Sequence, residues 1–228
     1  MYERGLTGAV AKTQSIALTS KTPTMNKVYT LLALLATTVF NACEKSHIEH
    51  ESRFERSYKT WLDFRNASGN NYRYEVSGAT WAGSSWLTTI TVREGKVVKR
   101  DFRYNVFNDV RMPIYGWESI SLGDLIKELG LPAEGFPEQE GKPFYESLQW
   151  TESGSELGLH ESSPASWLLT LDEVYETART VWLKKRGDGS VSFEAKNNGL
   201  ISSAGFVPDN CMDDCFSGIS IRSIEAID

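Results

Sequence analysis

Basic residues in excess, long apolar runs and histidines are all lacking or scarce in this chain of 228 residues. Lysine and arginine number 24 against 30 aspartates and glutamates, so the chain lacks the basic surface that binds nucleic acid. Its most apolar run, residues 28–40, is shorter than the roughly 20 residues that span a bilayer as a helix. A hydrophobic content of 40% and a charged content of 24% are typical of one globular domain with a tail.

The signatures of common catalytic sites are also missing. The chain has no Gly-x-Ser-x-Gly, His-Glu-x-x-His, Walker or Gly-x-Gly-x-x-Gly motif. His160 lies in a stretch rich in serine and glycine, where we expect an exposed loop residue. Glu173 and Glu176 have the spacing of an acid–base pair on a helix, but Glu173 is needed for the helix cap. We therefore predict no catalytic residue and no cofactor.

The N-terminal part of the chain has the order of an export signal. Residues 25–27, Met-Asn-Lys, precede the apolar run, and this run ends just before Ala42 and Cys43. We interpret Met25 as the true start, and residues 1–42 as an upstream segment and a signal peptide that are removed.

A short positive region, an apolar core and a small residue directly before Cys43 resemble the lipobox of bacterial lipoproteins of the Bacteroidota type. Phe40 and Asn41 depart from the leucine and the small residue that are usual there. The resemblance implies that Cys43 carries acyl chains such as palmitate and holds the protein in the cell envelope. We expect the outer membrane, with the domain in the periplasm or at the cell surface. The alternatives are an ordinary secretory signal with a chance cysteine, or a buried helix.

Residues 43–53 are polar, and we predict that they form a tether between the anchor and the domain. His47, His50 and Glu51 are residue types that bind zinc. A flexible tether fixes no coordination geometry, so we predict no metal site there.

Helix and hairpin signals alternate from residue 54 to the C-terminus, and they predict a single α+β domain over 54–228. Aromatic and apolar residues from Phe54 to Leu62 share one helical face, and Thr170 with Glu173 forms a capping box at a second helix. The turn at Asn198-Gly199 is typical of a type I′ hairpin. The isoleucines of the strand 219–227 change phase, which predicts a bulge or a strand covered on both faces. We expect an antiparallel β-sheet of hairpins with helices packed on one face.

A long insert, residues 105–167, interrupts this pattern. Its segment 131–166 is rich in glycine, proline, serine and glutamate and predicts little regular structure. Five tryptophans cluster around the insert: Trp81, Trp86, Trp117, Trp150 and Trp167. They either pack in the core or form an aromatic surface for a carbohydrate or a peptide.

The remaining segments resemble an uncharacterised family of small secreted bacterial lipoprotein domains of unknown function. The resemblance is carried by the helix ending in Trp61, the runs 71–76 and 91–98, the run 169–175, and the closing Gly-Leu-Ile and Ile-Ser-Ile segments. It covers residues 54–104 and 168–227 and implies a fold but no activity.

Two cysteines are left after Cys43 is assigned to the lipid. Cys211 and Cys215 lie in an exported chain, where oxidising conditions favour a disulfide between them. Asp209, Asp213 and Asp214 crowd oxygen ligands around the pair, so they are weak candidates for a calcium site or are simply turn residues.

The leading functional hypothesis is a lipid-anchored envelope protein whose domain binds a protein or glycan partner, or supports an envelope complex, without catalysis. The alternative is an envelope hydrolase that acts on glycans or peptides with carboxylates from the 105–167 insert. Two carboxylates that converge in a cleft favour the hydrolase, and an aromatic patch favours the binding module.

Overall fold

The computed structural model describes residues 47–131, 141–213 and 215–228. The predicted lipid site at Cys43, the signal peptide and Asp214 therefore lie outside the described residues. Within these three ranges, none of the helices has both the length and the apolar character needed to cross a membrane.

Helices and strands are both well represented in the described part of the chain. The helices are α1 (Glu51–Ala67), α2 (Leu122–Glu128), α3 (Gly141–Leu148) and α4 (Leu171–Thr177), the last of which continues as a π-helical turn, Ala178–Trp182. The strands are β1 (Tyr72–Ala79), β2 (Ser85–Arg93), β3 (Lys96–Phe107), β4 (Val110–Arg111), β5 (Gln149–Ser153), β6 (Gly189–Glu194), β7 (Ser203–Pro208) and β8 (Ser217–Ala226).

All eight strands join one antiparallel sheet in the order β4-β3-β2-β1-β8-β7-β6, and β5 also pairs with β3. The antiparallel sheet that the hairpin signals predict is thus confirmed. Strand β8 shifts its register against β1 between Glu75 and Val76, so the bulge predicted from the isoleucine phase is confirmed.

The main core joins helices α1 and α4 to side chains of the sheet. Phe54 and Trp61 from α1 lie fully buried with Tyr72 and Tyr74 from β1 and Tyr175 from α4. The polar ends of the aromatic rings find partners: the Trp61 indole N–H donates to an Asp172 carboxylate oxygen at 2.8 Å. The Tyr175 hydroxyl accepts from the backbone N–H of Ile201 at 3.0 Å. These aromatic side chains thus bury their rings without leaving polar atoms unpaired.

Local signals at α4 and at the Asn-Gly turn are confirmed. The Thr170 hydroxyl accepts from the Glu173 N–H at 3.3 Å, and the Glu173 carboxylate accepts from the Thr170 N–H at 2.7 Å. Glu173 is therefore engaged in the cap, as predicted. Asn198 and Gly199 have φ angles of 53° and 89°, the positive values that a type I′ turn requires.

The predicted tether over residues 43–53 is corrected from His47 onward. Ile48 forms a β-bridge with Lys184 and is buried, the Glu49 N–H donates to the Leu183 carbonyl, and α1 already begins at Glu51. The apolar contact of Ile48 with the core explains the difference, because a single isoleucine in a polar stretch gives no periodic pattern.

The insert is more regular than predicted. It contains α2, α3 and β5, and β5 extends the sheet by pairing with β3 from Arg103↔Gln149 to Lys99↔Ser153. Trp117, Leu125 and Leu148 form a second, smaller core cluster beside β3. For residues 141–156 the prediction of little regular structure was wrong, because the order of β5 comes from pairing with a distant strand rather than from a local pattern.

The last loop before β8 is closed by the predicted disulfide. Cys211 and Cys215 are bonded, with their Cα atoms 5.9 Å apart, and this prediction is confirmed. The bridge closes a short segment directly before Phe216 and β8, so it constrains the entry of the final strand.

Candidate functional site

A split in the sheet creates a groove in the described part of the chain. Strand β1 pairs with β8 only from Tyr72 to Val76, whereas β8 pairs with β7 over its first half, from Ser217 to Ser220. Beyond the last shared pair, Val76↔Ile221, residues 78–79 of β1 and 217–219 of β8 are therefore not paired with each other. The opening between them is a groove of about 920 Å³, a volume within the range of small-ligand sites.

Aromatic and small polar side chains line this groove. Trp86, Trp167 and Phe216 supply the aromatic surface, and Trp167 is 63% exposed. Residues 163–167, from the loop before α4, form a further wall. Arg222 is the one charged residue among the described residues that line the groove. The groove is thus an accessible aromatic surface with a single positive charge.

Two of the rings lie directly on glycine backbone. A Cβ atom on Gly78 of β1 would come within 2.4 Å of the Trp86 ring, and one on Gly205 of β7 would come within 2.4 Å of the Phe216 ring. Glycine at both strand positions therefore allows this close approach of the rings to the backbone.

A buried ion pair on the neighbouring strands holds the loop wall in place. The Glu152 carboxylate on β5 is fully buried and accepts from Arg100 Nε at 3.0 Å and Nη2 at 2.8 Å. It also accepts from the backbone N–H groups of Gly158 at 2.9 Å and His160 at 2.6 Å. A single carboxylate thus ties the sheet to the start of the 157–170 loop.

The same network reaches the groove itself. Arg100 donates through Nη1 to the carbonyl of Ser166 at 3.2 Å, and the Ser166 N–H donates to the Thr88 hydroxyl at 2.9 Å. Trp167 follows directly in the chain. The buried charge pair is therefore a positioning device for the exposed ring of Trp167.

The pKa of the Glu152 carboxyl group is lowered to about 2. Burial on its own raises this pKa, because a desolvated carboxylate is costly. The hydrogen bonds from Gly158, His160 and Arg100 favour the ionised form and outweigh the burial. Glu152 is therefore ionised at neutral pH, and its charge is matched within the protein.

His160 lies in a loop, as predicted, with its side chain 39% exposed, but it also makes contacts that the sequence does not predict. Its imidazole Nδ1 lies 2.9 Å from Glu152 Oε1, and its ring stacks on Trp150 with centroids 4.2 Å apart. No local sequence pattern indicates this contact, because it depends on the buried Glu152, which the sequence patterns place in a loop.

The five tryptophans divide between the two predicted uses. Trp117 and Trp150 are buried and pack in the core, whereas Trp86 and Trp167 line the groove. Trp81 is 78% exposed and lies outside the lining of the groove. Of the two uses predicted from the sequence, core packing and an aromatic surface, the aromatic surface is thus formed by Trp86 and Trp167 together with Phe216.

A second, smaller depression of about 360 Å³ lies over β2, β3 and β5 and includes Asp101 and Glu118. Asp101 is already held by the Lys99 ammonium at 2.8 Å and by the Thr151 hydroxyl at 2.7 Å. One of the two carboxylates in this depression is thus engaged in contacts that neutralise it.

The candidate metal ligands do not form a site in the described ranges. No three His, Cys, Asp or Glu side chains there are close enough to hold a metal ion. This includes Asp209 and Asp213 of the weak calcium candidates, whereas Asp214 lies outside the described residues. His50, considered for zinc, instead places its Nε2 atom 3.1 Å from the Val191 carbonyl oxygen.

Comparison of the chain with known family models, with curated proteins and with solved structures finds no match. The lipobox and the small secreted domain family therefore stay predictions from resemblance.

Proposed function

We propose that this chain is a lipid-anchored cell-envelope protein whose domain binds a protein or glycan partner without catalysing a reaction. The partner lies in the groove lined by Trp86, Trp167 and Phe216. The observation that carries the proposal is the groove itself, which presents Trp167 and Phe216 to solvent beside Trp86. Exposed tryptophan and arginine side chains in a concave surface are the residues that most often dominate binding energy.

The distribution of carboxylates supports binding over hydrolysis. A glycan hydrolase of the usual type needs two carboxylates that flank the scissile bond. The described lining of the groove contains no aspartate or glutamate. The most buried carboxylate of the insert, Glu152, is paired with Arg100, and Asp101 in the smaller depression is paired with Lys99.

A rigid frame beneath the groove also supports a binding role. We infer that α1 and α4 cover one face of the sheet, since their buried side chains share one cluster with those of β1, β2, β6, β7 and β8. A site that rests on such a packed scaffold loses little conformational freedom when it binds.

The anchoring part of the proposal is tested by Cys43→Ala. We expect the wild type to partition with membranes and to take up a fatty-acid probe. The variant should remain soluble in the periplasm or accumulate as an uncleaved precursor, because it lacks the sulfur that receives the lipid. Cys211→Ala serves as the control, since it removes a cysteine without touching the lipobox. Equal labelling of Cys43→Ala and wild type would refute the lipid assignment.

The binding part is tested by Trp167→Ala in a pull-down from detergent-solubilised envelope. Truncation of a dominant aromatic contact costs about 2 kcal/mol or more, so we expect recovery of the partner to fall by at least tenfold. Trp81→Ala, which removes an exposed tryptophan outside the groove, should recover the partner normally. The same set of molecules recovered in equal amounts by the Trp167 variant would contradict the assignment of the groove.

A further inference from the structure

Several connecting segments project from one end of the sheet, which we call the turn end. Ala79 at the end of β1 pairs with Ser85 at the start of β2, and a short turn joins them. Strand β3 ends here as well, because Val106 also pairs with Ser85. Strand β8 is antiparallel to β1 and starts here beside the end of β7, with Phe206↔Ser217 as their outermost pair. The turn after β1 and the segment between β7 and β8 therefore project from neighbouring strands in the same direction.

The four most exposed large apolar side chains of the described residues lie at or close to the turn end. Trp81 is 78% exposed and lies in the turn after β1, and Met212 is 93% exposed and lies between β7 and β8. Ile114 and Tyr115 are 91% and 90% exposed and come shortly after β4, which pairs with the last two residues of β3. Turns normally carry small or polar residues, so this concentration of apolar side chains indicates a contact surface.

The chain enters the domain at the same end. His50 places its Nε2 atom 3.1 Å from the carbonyl oxygen of Val191 in β6, and β6 starts at the turn end, where its first residue pairs with the last residue of β7. Helix α1 then runs away from this end, because the ring of Trp61 packs on Tyr72, the first residue of β1. His47, three residues before His50, therefore belongs to the end of the domain that carries the exposed apolar side chains.

Covalent geometry limits how far this end can lie from a lipid on Cys43. Cys43 is four residues before His47. An extended chain covers at most roughly 3.6 Å per residue, so four residues span no more than about 14 Å. Strand β2, with nine residues, is about twice as long. In a lipid-anchored chain the turn end therefore stays close to the bilayer, whereas the opposite end of the sheet can stand clear of it.

We infer that the turn end docks on the headgroup region of the bilayer that holds the anchor, through Trp81, Met212, Ile114 and Tyr115. The inference rests on the lipid anchor of the proposed function and adds a second, non-covalent contact with the membrane. Tryptophan and tyrosine suit this position, because their rings are apolar while the N–H and O–H groups can bond to water or headgroups. Methionine and isoleucine add apolar area beside them.

The charges at the turn end are mixed, so the docking depends on apolar contact rather than on charge. Asp209 and Asp213 are exposed in the segment that carries Met212, whereas the exposed Lys184 and Lys185 adjoin the entry of the chain. Acidic side chains beside Met212 are repelled by anionic lipids, which favours a surface of zwitterionic headgroups. A protein partner is the competing occupant of the same side chains, and the test below separates the two.

The test uses the full chain, purified with its acyl chains and reconstituted in vesicles of phosphatidylcholine and phosphatidylethanolamine. In separate variants the photo-crosslinking residue benzoylphenylalanine replaces Trp81, Tyr115 or, as the control, Lys96. Lys96 is exposed and lies in the β2–β3 hairpin at the opposite end of the sheet. After illumination, intact mass shows whether the chain has gained the mass of a lipid. We expect lipid adducts at positions 81 and 115 and none at position 96.

A pair of variants at Met212 connects the docking to apolar contact. Met212→Glu, combined with the crosslinking residue at position 81, should lower the yield of lipid adduct, because a carboxylate is costly to desolvate at the membrane surface. Met212→Leu keeps an apolar side chain and should give the wild-type yield. Met212 is almost fully exposed, so both variants should fold normally.

Each alternative result has a defined meaning. Lipid adducts as abundant at position 96 as at 81, a yield that Met212→Glu leaves unchanged, or no lipid adduct in a chain that floats with the vesicles would overturn the docking and leave the anchor in place. Protein adducts at position 81 in native envelopes, without lipid adducts, would overturn it in favour of a protein partner. A chain that carries no acyl group on Cys43 and does not float with the vesicles would overturn both the anchor and the docking.

Discussion

Replacement of Glu152 by glutamine is expected to lower the free energy of unfolding by about 3–5 kcal/mol, the cost of leaving one partner of a buried ion pair uncompensated. The glutamine has the size of the glutamate but carries no charge for Arg100, whose guanidinium is itself buried. The Gly158 N–H donates to Oε2 of Glu152 and the His160 N–H donates to Oε1. A glutamine amide has one acceptor oxygen in place of two, so one of these donors loses its acceptor.

Urea unfolding at pH 7 measures this loss. Glu161→Gln is the matched control, because Glu161 is an exposed glutamate of the same loop and its neutralisation should change stability by less than about 0.5 kcal/mol. A Glu152→Gln variant as stable as the control would mean that the ion pair contributes nothing to the fold.

The same carboxylate gives the wild type a dependence on acid that the variant lacks. The folded pKa of Glu152, about 2, lies below the value of about 4.3 for an unfolded glutamate. Its contribution to stability is therefore fully present above the unfolded pKa and is lost as the pH falls towards 2. We expect the wild type to lose on the order of 3 kcal/mol more than Glu152→Gln between pH 5 and 2. Parallel losses in the two proteins would contradict an ionised Glu152.

The ion pair also connects stability with the groove. Since Arg100 holds the Ser166 carbonyl, loss of Glu152 should disturb the loop that carries Trp167 and weaken binding as well as folding. Trp167→Ala should weaken binding alone, because its ring is largely exposed. The two variants therefore separate the positioning of the loop from the contact that it makes.

The elements with local signals could be predicted from the sequence. The helical face from Phe54 to Trp61, the capping box at Thr170 and the Asn198-Gly199 turn each depend on residues within one or two turns of each other. The bulge in β8 could be predicted for the same reason. Ile221 and Ile224 lie three positions apart, whereas side chains on one face of a regular strand repeat every two residues.

The groove could not be predicted in this way. It exists because β8 pairs with β7 over residues 217–220 and with β1 from Ile221 onward. No pattern within β8 indicates this change of partner strand. The burial of Glu152 could not be predicted either, because a glutamate in a short strand is expected to be exposed unless its buried partner, Arg100, is known. Both features depend on contacts between residues far apart in the chain, which is where reasoning from one sequence is weakest.

Trp61 anchors α1 in the main core, and its contacts are both apolar and polar. The indole is fully buried, with its ring 5.2 Å from that of Tyr72 in an edge-on arrangement and 6.2 Å from that of Tyr175 in a stacked one. Its N–H donates to Asp172, the residue that follows the first position of α4, and Arg65 also contacts that carboxylate at 2.8 Å. The side chain therefore links α1, β1 and α4.

Trp61→Ala is expected to destabilise the domain by about 3–5 kcal/mol, because it leaves a large cavity between three elements. Trp61→Phe should cost less, since it fills most of the space and loses mainly the hydrogen bond to Asp172. Trp167→Ala, which truncates an exposed tryptophan, should stay within about 0.5 kcal/mol of the wild type in the same chemical unfolding experiment. If Trp61→Ala were no less stable than Trp167→Ala, helix α1 could not be packed against the sheet through this ring.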